Sequence, residues 1–481
     1  MEVEHYGSMS GETFTVEEAV TKIGFGKFQI IALSVMGLAL VSDAFETLLL
    51  ALTSRQVQCT WMLSNTEVAT LSTVVFFGTY IGALAWGTFA DRFGRWKTAL
   101  FASVILAYYG LLCAFSPTYV WLLCLRFVAG FAIGGLPTLF PYAGEFLPTA
   151  GRGSILLGFW ATWSFGTILQ SVIGYLVLPT LGWRVHIAVS SLPSFIVLAG
   201  LALFIPESPR YCLASGETAK ATKILQKMAT LNSATLPAGR LQQGVGNAAS
   251  ERGNFKELFS KKYRRITLML TILWFSAGFS YYGAIFAITT LQGADAGGTC
   301  SALREGISKT SNNVWGCDCH PMRAEDYLTT VWTSCGEALS IPLSVAVSYA
   351  LSRRQALAVM SVLAALTYLL MMICVNRSYF IVMGFFVRST STSLFNITYL
   401  YTTEVYPTTV RGVGLLLCTS FSRLGDTVAP YAGQVLVASS PTVAFSMYAA
   451  INILLAALCL YLPIDTAGRP LLETAKESRD E

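Results

Sequence analysis

Charge is what this sequence most lacks. Asp, Glu, Lys and Arg supply 12% of its 481 residues, about half the share found in ordinary soluble chains. The polar joints between its apolar runs are too short to make a soluble domain of normal size. A water-soluble fold is therefore excluded: with 54% hydrophobic residues and a mean hydropathy of +0.57, the chain needs lipid.

Other absences narrow the function. No P-loop is present, so a pump driven by ATP hydrolysis finds no support. No nucleophile–base or metal constellation stands at a plausible spacing, so neither an enzyme nor a cofactor is expected. The net charge of +5 is not gathered into one patch among exposed aromatics, which argues against nucleic acid. The first ~25 residues are acidic, with Glu2, Glu4, Glu12, Glu17 and Glu18, and offer no basic region before an apolar one. The first span is therefore expected to serve as the targeting signal. Most of the eleven cysteines lie in apolar runs, where they read as small hydrophobes.

What is present is a series of mostly apolar stretches, each long enough to cross a ~30 Å hydrocarbon layer as a helix. They number twelve, from Phe28–Ala51 to Thr442–Leu462. The expected fold is an all-α membrane protein with two six-helix halves. Its parts are a segment over 1–27, a bundle over 28–205, a linker over 206–265, a second bundle over 266–463 and a tail over 464–481. Arg92, Arg95, Lys97, Arg152, Arg353, Arg354 and Arg411 all fall on one side, together with the basic linker. By the positive-inside rule that side and both termini are expected to be cytoplasmic, in a plasma or intracellular vesicle membrane. A weak repeat supports the two halves. Tyr142-Ala-Gly-Glu145-Phe-Leu-Pro148 with Arg152 closes the fourth span, and Tyr401-Thr-Thr-Glu404-Val-Tyr-Pro407 with Arg411 closes the tenth.

The joint between the second and third spans reads Gly87-Thr-Phe-Ala-Asp91-Arg92-Phe-Gly94-Arg95-Trp-Lys97. Gly87 would permit close helix approach, Gly94 a tight turn, and Asp91 with the bases a latch between helix ends. As a generic basic loop it would set topology only, but the spacing resembles the signature loop of the major facilitators, where it gates. Glu145, Arg152, Glu404 and Arg411 are expected to complete the gate. The matching joint of the second half, Tyr349-Ala-Leu-Ser-Arg353-Arg354-Gln355, lacks both Asp and Gly, so a second latch should be degraded.

Ionisable residues at membrane depth mark ion or solute pathways. Asp43 and Glu46 share one face of the first span. At ~1.5 Å per residue, Asp43 lies ~23 Å above the cytoplasmic end of its helix, and Arg126 lies ~10 Å below the outer end of the fourth span. The depths coincide, so the three are expected to form a cluster whose pairing changes on protonation; the alternative is a static salt bridge. Arg388 has no acid opposite it in the seventh span, and Glu337 in the eighth is its expected partner, either as a structural pair or as an imperfect echo of the first cluster in a substrate or proton site. Arg423, near Asp426, is either a contact for an anionic solute or an interfacial anchor. Trp160, Trp163, Trp274, Tyr281, Tyr282 and Tyr399, with Asn396, gather on spans expected to face a cavity, where rings stack on flat or cationic solutes; packing is the alternative for each. In the joint after the seventh span, Cys300 is expected to pair with Cys317 or Cys319 in a disulfide rather than bind metal.

Phe14-Thr-Val-Glu-Glu-Ala-Val, Asp43-Ala-Phe-Glu46, Glu145-Phe-Leu-Pro-Thr, Pro206-Glu-Ser-Pro-Arg210, Tyr281-Tyr-Gly, Cys317-Asp-Cys-His320, Glu404-Val-Tyr-Pro407 and Pro463-Ile-Asp-Thr-Ala-Gly-Arg469 together make a sequence that resembles the synaptic-vesicle-protein-related transporters of the major facilitator superfamily, in their SVOP-like branch. The resemblance covers almost the whole chain. It implies a twelve-span carrier of a small organic, ionic solute. From the residues themselves, alternating access is expected, with proton coupling through the Asp43, Glu46 and Arg126 cluster and no obligate protein partner. Two rivals stay open: a membrane binding or regulatory protein that keeps the carrier fold without turnover, and a sugar porter. The seventh span, Trp274-Phe-Ser-Ala-Gly-Phe-Ser-Tyr281-Tyr282, is poor in the Gln and Asn that a sugar porter would need.

Overall fold

Apolar runs of this length leave every backbone N–H and C=O to be paired within the chain, and a helix is the local way to pair them. The computed structural model describes residues 13–242, 255–292, 300, 322–374 and 376–466. Among these, the strands are β1 (Thr13–Phe14) and β2 (Arg240–Leu241), paired in parallel.

The helices of the first half are α1 (Val16–Ile23), α2 (Lys27–Trp61), α3 (Asn65–Phe93), α4 (Arg95–Leu112), α5 (Tyr119–Ile133), α6 (Leu139–Gly144), α7 (Arg152–Phe159) and α8 (Ala161–Leu203). The linker holds α9 (Pro209–Ala214), α10 (Thr218–Leu231) and α11 (Phe255–Leu258). The second half holds α12 (Arg264–Gln292), α13 (Ala324–Ala350), α14 (Arg353–Met371), α15 (Arg377–Val405), α16 (Thr408–Pro430) and α17 (Pro441–Leu460). A π-helical turn, Tyr431–Leu436, extends α16.

Nine helices among the described residues are long and apolar enough to cross a membrane. One of them, α8, breaks at Gly182, whose φ of 80° lies in the left-handed region. The break divides it into the expected fifth and sixth spans. Helices α13 and α16 are also long but more polar; the fourth expected span covers α5 and α6, and the fifth covers α7 and the start of α8. Helix α2 runs past its expected end at Ala51 to Trp61. The polar residues of that extension are tolerated because Thr53, Ser54 and Thr60 donate to the carbonyls of Leu49, Ala51 and Gln56 in their own helix.

Small residues set the tightest crossing of the first half. A Cβ on Gly82 would meet the Phe131 carbonyl oxygen at 2.1 Å, and one on Gly130 the Val75 oxygen at 2.2 Å, so α3 and α5 touch backbone to backbone. Gly87 has no such role, since its nearest neighbour would be Leu416 Cδ1 at 3.9 Å. The close approach lies one turn and more before it.

The two bundles meet along α3 with α16, α8 with α13, and α2 with α12. At the end away from the basic loops, Thr70 and Tyr431 hydroxyls bond at 3.0 Å and Thr73 donates to the Thr427 carbonyl at 3.0 Å. The linker folds back on the basic end of the first bundle: Asn232 Oδ1 accepts from the Phe28 N–H, and Lys22 donates to the Leu236 carbonyl.

Candidate functional site

Two buried ion pairs lie at the middle of the bundle, one in each half. In the first, Arg126 Nη1 on α5 donates to Glu46 Oε2 on α2 at 2.6 Å, and both side chains are 2% exposed. Gly110 on α4 leaves room for the carboxylate, since a Cβ there would lie 3.1 Å from Glu46 Oε1. In the second, Arg388 on α15 donates to Glu337 Oε1 on α13. Tyr281 of α12 donates to the same oxygen at 2.9 Å. Each pair is balanced in charge.

Their surroundings differ. Among the described residues, Glu46 pairs only within its own half. Glu337 also takes Thr167 Oγ1 from α8, across the boundary, at 2.8 Å on Oε2. Ser164 of α8 donates to the Glu337 carbonyl, and Trp163 donates to the Tyr281 hydroxyl. Sequence spacing gave the Glu337–Arg388 partnership but offered no sign of Thr167, a residue type common in spans.

Asp43 does not join Arg126. It is 3% exposed and lies within electrostatic reach of Arg423 of α16, in the second half, as well as of Glu46 on its own helix. Arg423 Nη1 lies 3.3 Å from Asp426 Oδ2 and also engages the Tyr282 hydroxyl. Gly278 of α12 makes room for Asp426, because a Cβ there would sit 2.3 Å from Oδ1. Asp43 Oδ1 and Asp426 Oδ1 are both buried without a hydrogen-bond partner among the described residues. Two carboxylates therefore face one guanidinium, and they come from opposite halves.

The aromatic residues divide in the same way. Tyr399 of α15 contacts Trp160 at 5.5 Å and Phe140 at 5.8 Å, both in the first half, so it closes the bundle on the side toward the basic loops. Phe76 lies against Tyr282 at 4.7 Å. Trp274 instead donates to Thr402 and packs on Phe395, and Asn396 lies near Ser340 and Ser344, so both belong to the packing of the second half.

Comparison with known proteins bears on this geometry. Residues 32–303 match the family model described as Sugar (and other) transporter, and residues 325–480 that described as Major Facilitator Superfamily. The "Putative transporter SVOPL" of Danio rerio is 37% identical over 96% of this chain and 90% of its own. The Synaptic vesicle 2-related protein of Xenopus laevis is 36% identical over 98% of this chain and 84% of its own. The chain belongs to the major facilitator superfamily, among its synaptic-vesicle-protein-related transporters. The fold agrees: the partially occluded inward open xylose transporter XylE from E. coli superposes with a TM-score of 0.69 at 15% identity, covering 92% of this chain and 100% of that one. This major facilitator is thus a multi-pass membrane protein that transports a small-molecule solute.

In this facilitator the loop motif works through more partners than spacing implied. Arg95 pairs with Asp91 at 3.0 Å, reaches Glu145 at 3.7 Å and donates to the Ala90 carbonyl. Gly94 is needed twice over: its φ is 108°, and a Cβ would meet Glu207 Oε2 at 2.2 Å. Glu207 Oε1 accepts from the backbone N–H groups of Arg95 and Trp96, capping α4. Ser208 donates to Glu145 and Tyr142 to the Pro206 carbonyl. Arg92 offers its carbonyl to Tyr211.

The second half repeats this clasp, contrary to the expected degradation. Arg353 pairs with Glu404 at 3.0 Å and donates to the Ser348 carbonyl. Thr466 donates to Glu404, and Tyr401 to the Ile464 carbonyl. The missing Asp does not matter because Arg353 still reaches the glutamate that ends the tenth span. Arg152 and Arg411 each donate to a carbonyl five residues back, Leu147 and Tyr406, and Arg152 also pairs with Glu17 at 2.6 Å.

The disulfide expectation is corrected. Cys300 is bonded to Cys374, three residues past the end of α14, and not to Cys317 or Cys319. Those two lie outside the described residues. Cys59 is also disulfide-bonded. Sequence distance hid Cys374, which lies at the end of an apolar run and reads as one more buried hydrophobe.

Proposed function

We propose that this transporter works by alternating access, with its two bundles rocking about the midplane and the termini on the cytoplasmic side. The solute or proton site is the group made by Asp43, Tyr282, Arg423 and Asp426. The observation that carries this reading is the charge count: the Glu46–Arg126 and Glu337–Arg388 pairs are balanced, whereas Asp43 and Asp426 share one arginine. One excess negative charge between two moving halves makes a place for a proton or for the cationic group of an organic solute. Rings at Tyr281, Tyr282 and Tyr399 favour the same class of ligand. Glu46 and Arg126 then act as a strut within the first half, not as part of a three-residue switch. The membrane is that of an intracellular vesicle or the cell surface, in line with relatives named for synaptic vesicles.

The test is uptake of organic cations into proteoliposomes across a pH gradient. Asp43→Asn and Asp426→Asn should each abolish the dependence on that gradient, and Asp43→Asn with Arg423 intact should also weaken solute binding. Unchanged pH-dependent uptake in both variants would sink the assignment. A binding protein without turnover would retain solute yet show no counterflow exchange. A sugar porter would take up neutral hexose or pentose with Asp43→Asn, and the poverty of α12 in amide side chains argues against that outcome.

A further inference from the structure

On the lipid-facing side of the first bundle, α3 and α4 leave a groove of about 370 Å³, lined by Ala85, Trp86, Phe89, Phe101, Ile105 and Phe131. Trp86 forms the floor, and its Nε1 donates to the Phe131 carbonyl at 2.9 Å, so the polar atom there is already satisfied. What remains is wholly apolar surface. It includes Phe101, which is 50% exposed.

The groove has a direction. Ala85, Phe89 and Phe93 recur every four residues along one stripe of α3, and Ile105, Phe101 and Lys97 do so along α4. Phe89 is 4.5 Å from Phe93 and 6.1 Å from Phe101, so both walls continue toward the basic end. One wall ends there in the exposed ammonium of Lys97. Beside the other, the Arg92 guanidinium lies over the Phe93 ring at 5.4 Å. Arg95, the third base of this loop, is occupied by Asp91 and Glu145. Among the described residues, no acid pairs with the side chain of Lys97 or Arg92.

We propose that this groove is a binding site for a glycerophospholipid with a net negative headgroup, one acyl chain lying along Phe101 and Phe89 and the phosphate held by Lys97 and Arg92. The charge at the groove mouth selects this occupant over a sterol, whose single hydroxyl cannot neutralise two cations, and over a zwitterionic lipid, whose amine they repel. The leaflet is the cytoplasmic one if the orientation proposed above holds; the site itself does not depend on the transport reading. Its headgroup end adjoins the loop that carries Arg95, so occupancy would hold that loop in the position where Arg95 meets Glu145.

Native mass spectrometry of the purified full chain tests this, with phosphatidylserine and phosphatidylcholine of identical acyl chains and with cholesterol as competitor. Phosphatidylserine should be retained over phosphatidylcholine. Lys97→Gln and Arg92→Gln should each lower its retention about fivefold, the effect of one basic residue at an anionic surface, and leave phosphatidylcholine unaffected. Ile105→Trp, which fills the groove, should reduce phosphatidylserine retention while the thermal melt in detergent stays that of the unmodified chain. Should that variant fold poorly, the exposed Lys97 change still decides the matter. Equal retention of the two phospholipids, retention indifferent to Lys97→Gln, or displacement of phosphatidylserine by cholesterol would overturn the proposal.

Discussion

Thr167 Oγ1 donates to Glu337 Oε2 at 2.8 Å, a bond from one half of the transporter to a buried carboxylate of the other. A ligand or a proton shifts a conformational equilibrium only as far as its affinity differs between the two states. Glu337 changes its donors when the halves separate. Glu46, whose arginine travels with it, does not.

Thr167→Val should therefore favour separation of the two halves. A hydrogen bond to a charged group contributes about 1.5 to 3 kcal/mol, enough to shift the open-to-closed ratio about tenfold or more. Val68 is 6% exposed near the outer end of α3, and Val68→Cys supplies the probe. The rate at which a membrane-impermeant maleimide labels that cysteine should change when Thr167→Val is added, and an unchanged rate would show that Thr167 does not hold the halves together.

Breaking the first-half pair from one side should be worse than removing it whole. Arg126→Leu leaves Glu46 buried and unpaired, at a cost of about 3 to 5 kcal/mol. Adding Glu46→Leu should restore most of the thermal stability measured in detergent. A double variant that melts no higher than the single one would show that the pair does more than brace α2 against α5.

Glu17 makes the docking of the amino-terminal segment depend on pH. Burial raises its pKa, but the hydrogen bond from Arg152 and the charges of Arg210 and Arg152 outweigh burial, so the net shift is downward from the ordinary 4.5. A lowered folded pKa means that the stabilisation is complete above about 4.5 and fades as pH falls through the lower folded value. Protection from hydrogen exchange over residues 13–24, relative to the unfolded-chain rate at each pH, should therefore fall on strong acidification, and Glu17→Gln should show the lower protection already at neutral pH. Exchange that is insensitive to both would place the anchor elsewhere.

The Cys300–Cys374 bond predicts a specific thiol. Cys374→Ser should liberate Cys300 for maleimide labelling without prior reduction, a signal absent from the unmodified chain. If Cys300 instead stays blocked in that variant, its partner is another cysteine.

Much of the fold was legible because lipid imposes a simple rule: long apolar runs become helices. The Arg126–Glu46 contact was legible too, since rise per residue converts sequence position into depth, and Glu337 was legible as the partner of Arg388 because the seventh span offers it no acid. Depth says nothing about rotation around the helix axis, however, and so Asp43 was grouped with Arg126 when it faces Arg423. Its partner lies in the other half, where neither periodicity nor spacing from α2 reaches. The second clasp was missed for a different reason. The loop motif displays its acid, whereas the contact common to both halves is arginine to the glutamate that ends the following span, Arg95 to Glu145 and Arg353 to Glu404. Gly87 shows the converse error, for a glycine near a helix end marks no crossing unless another backbone arrives there.

Each clasp is closed by the segment that follows its own bundle. Ser208 secures Glu145, Thr466 secures Glu404, and the linker as far as Leu241 folds against the first bundle through Asn232 and the β1–β2 pairing. A covalent connection between the halves is then a matter of delivery and not of architecture. Two polypeptides, divided between residues 242 and 255 and made together, should find one another in the membrane and regain uptake, each arriving with its basic end already fastened.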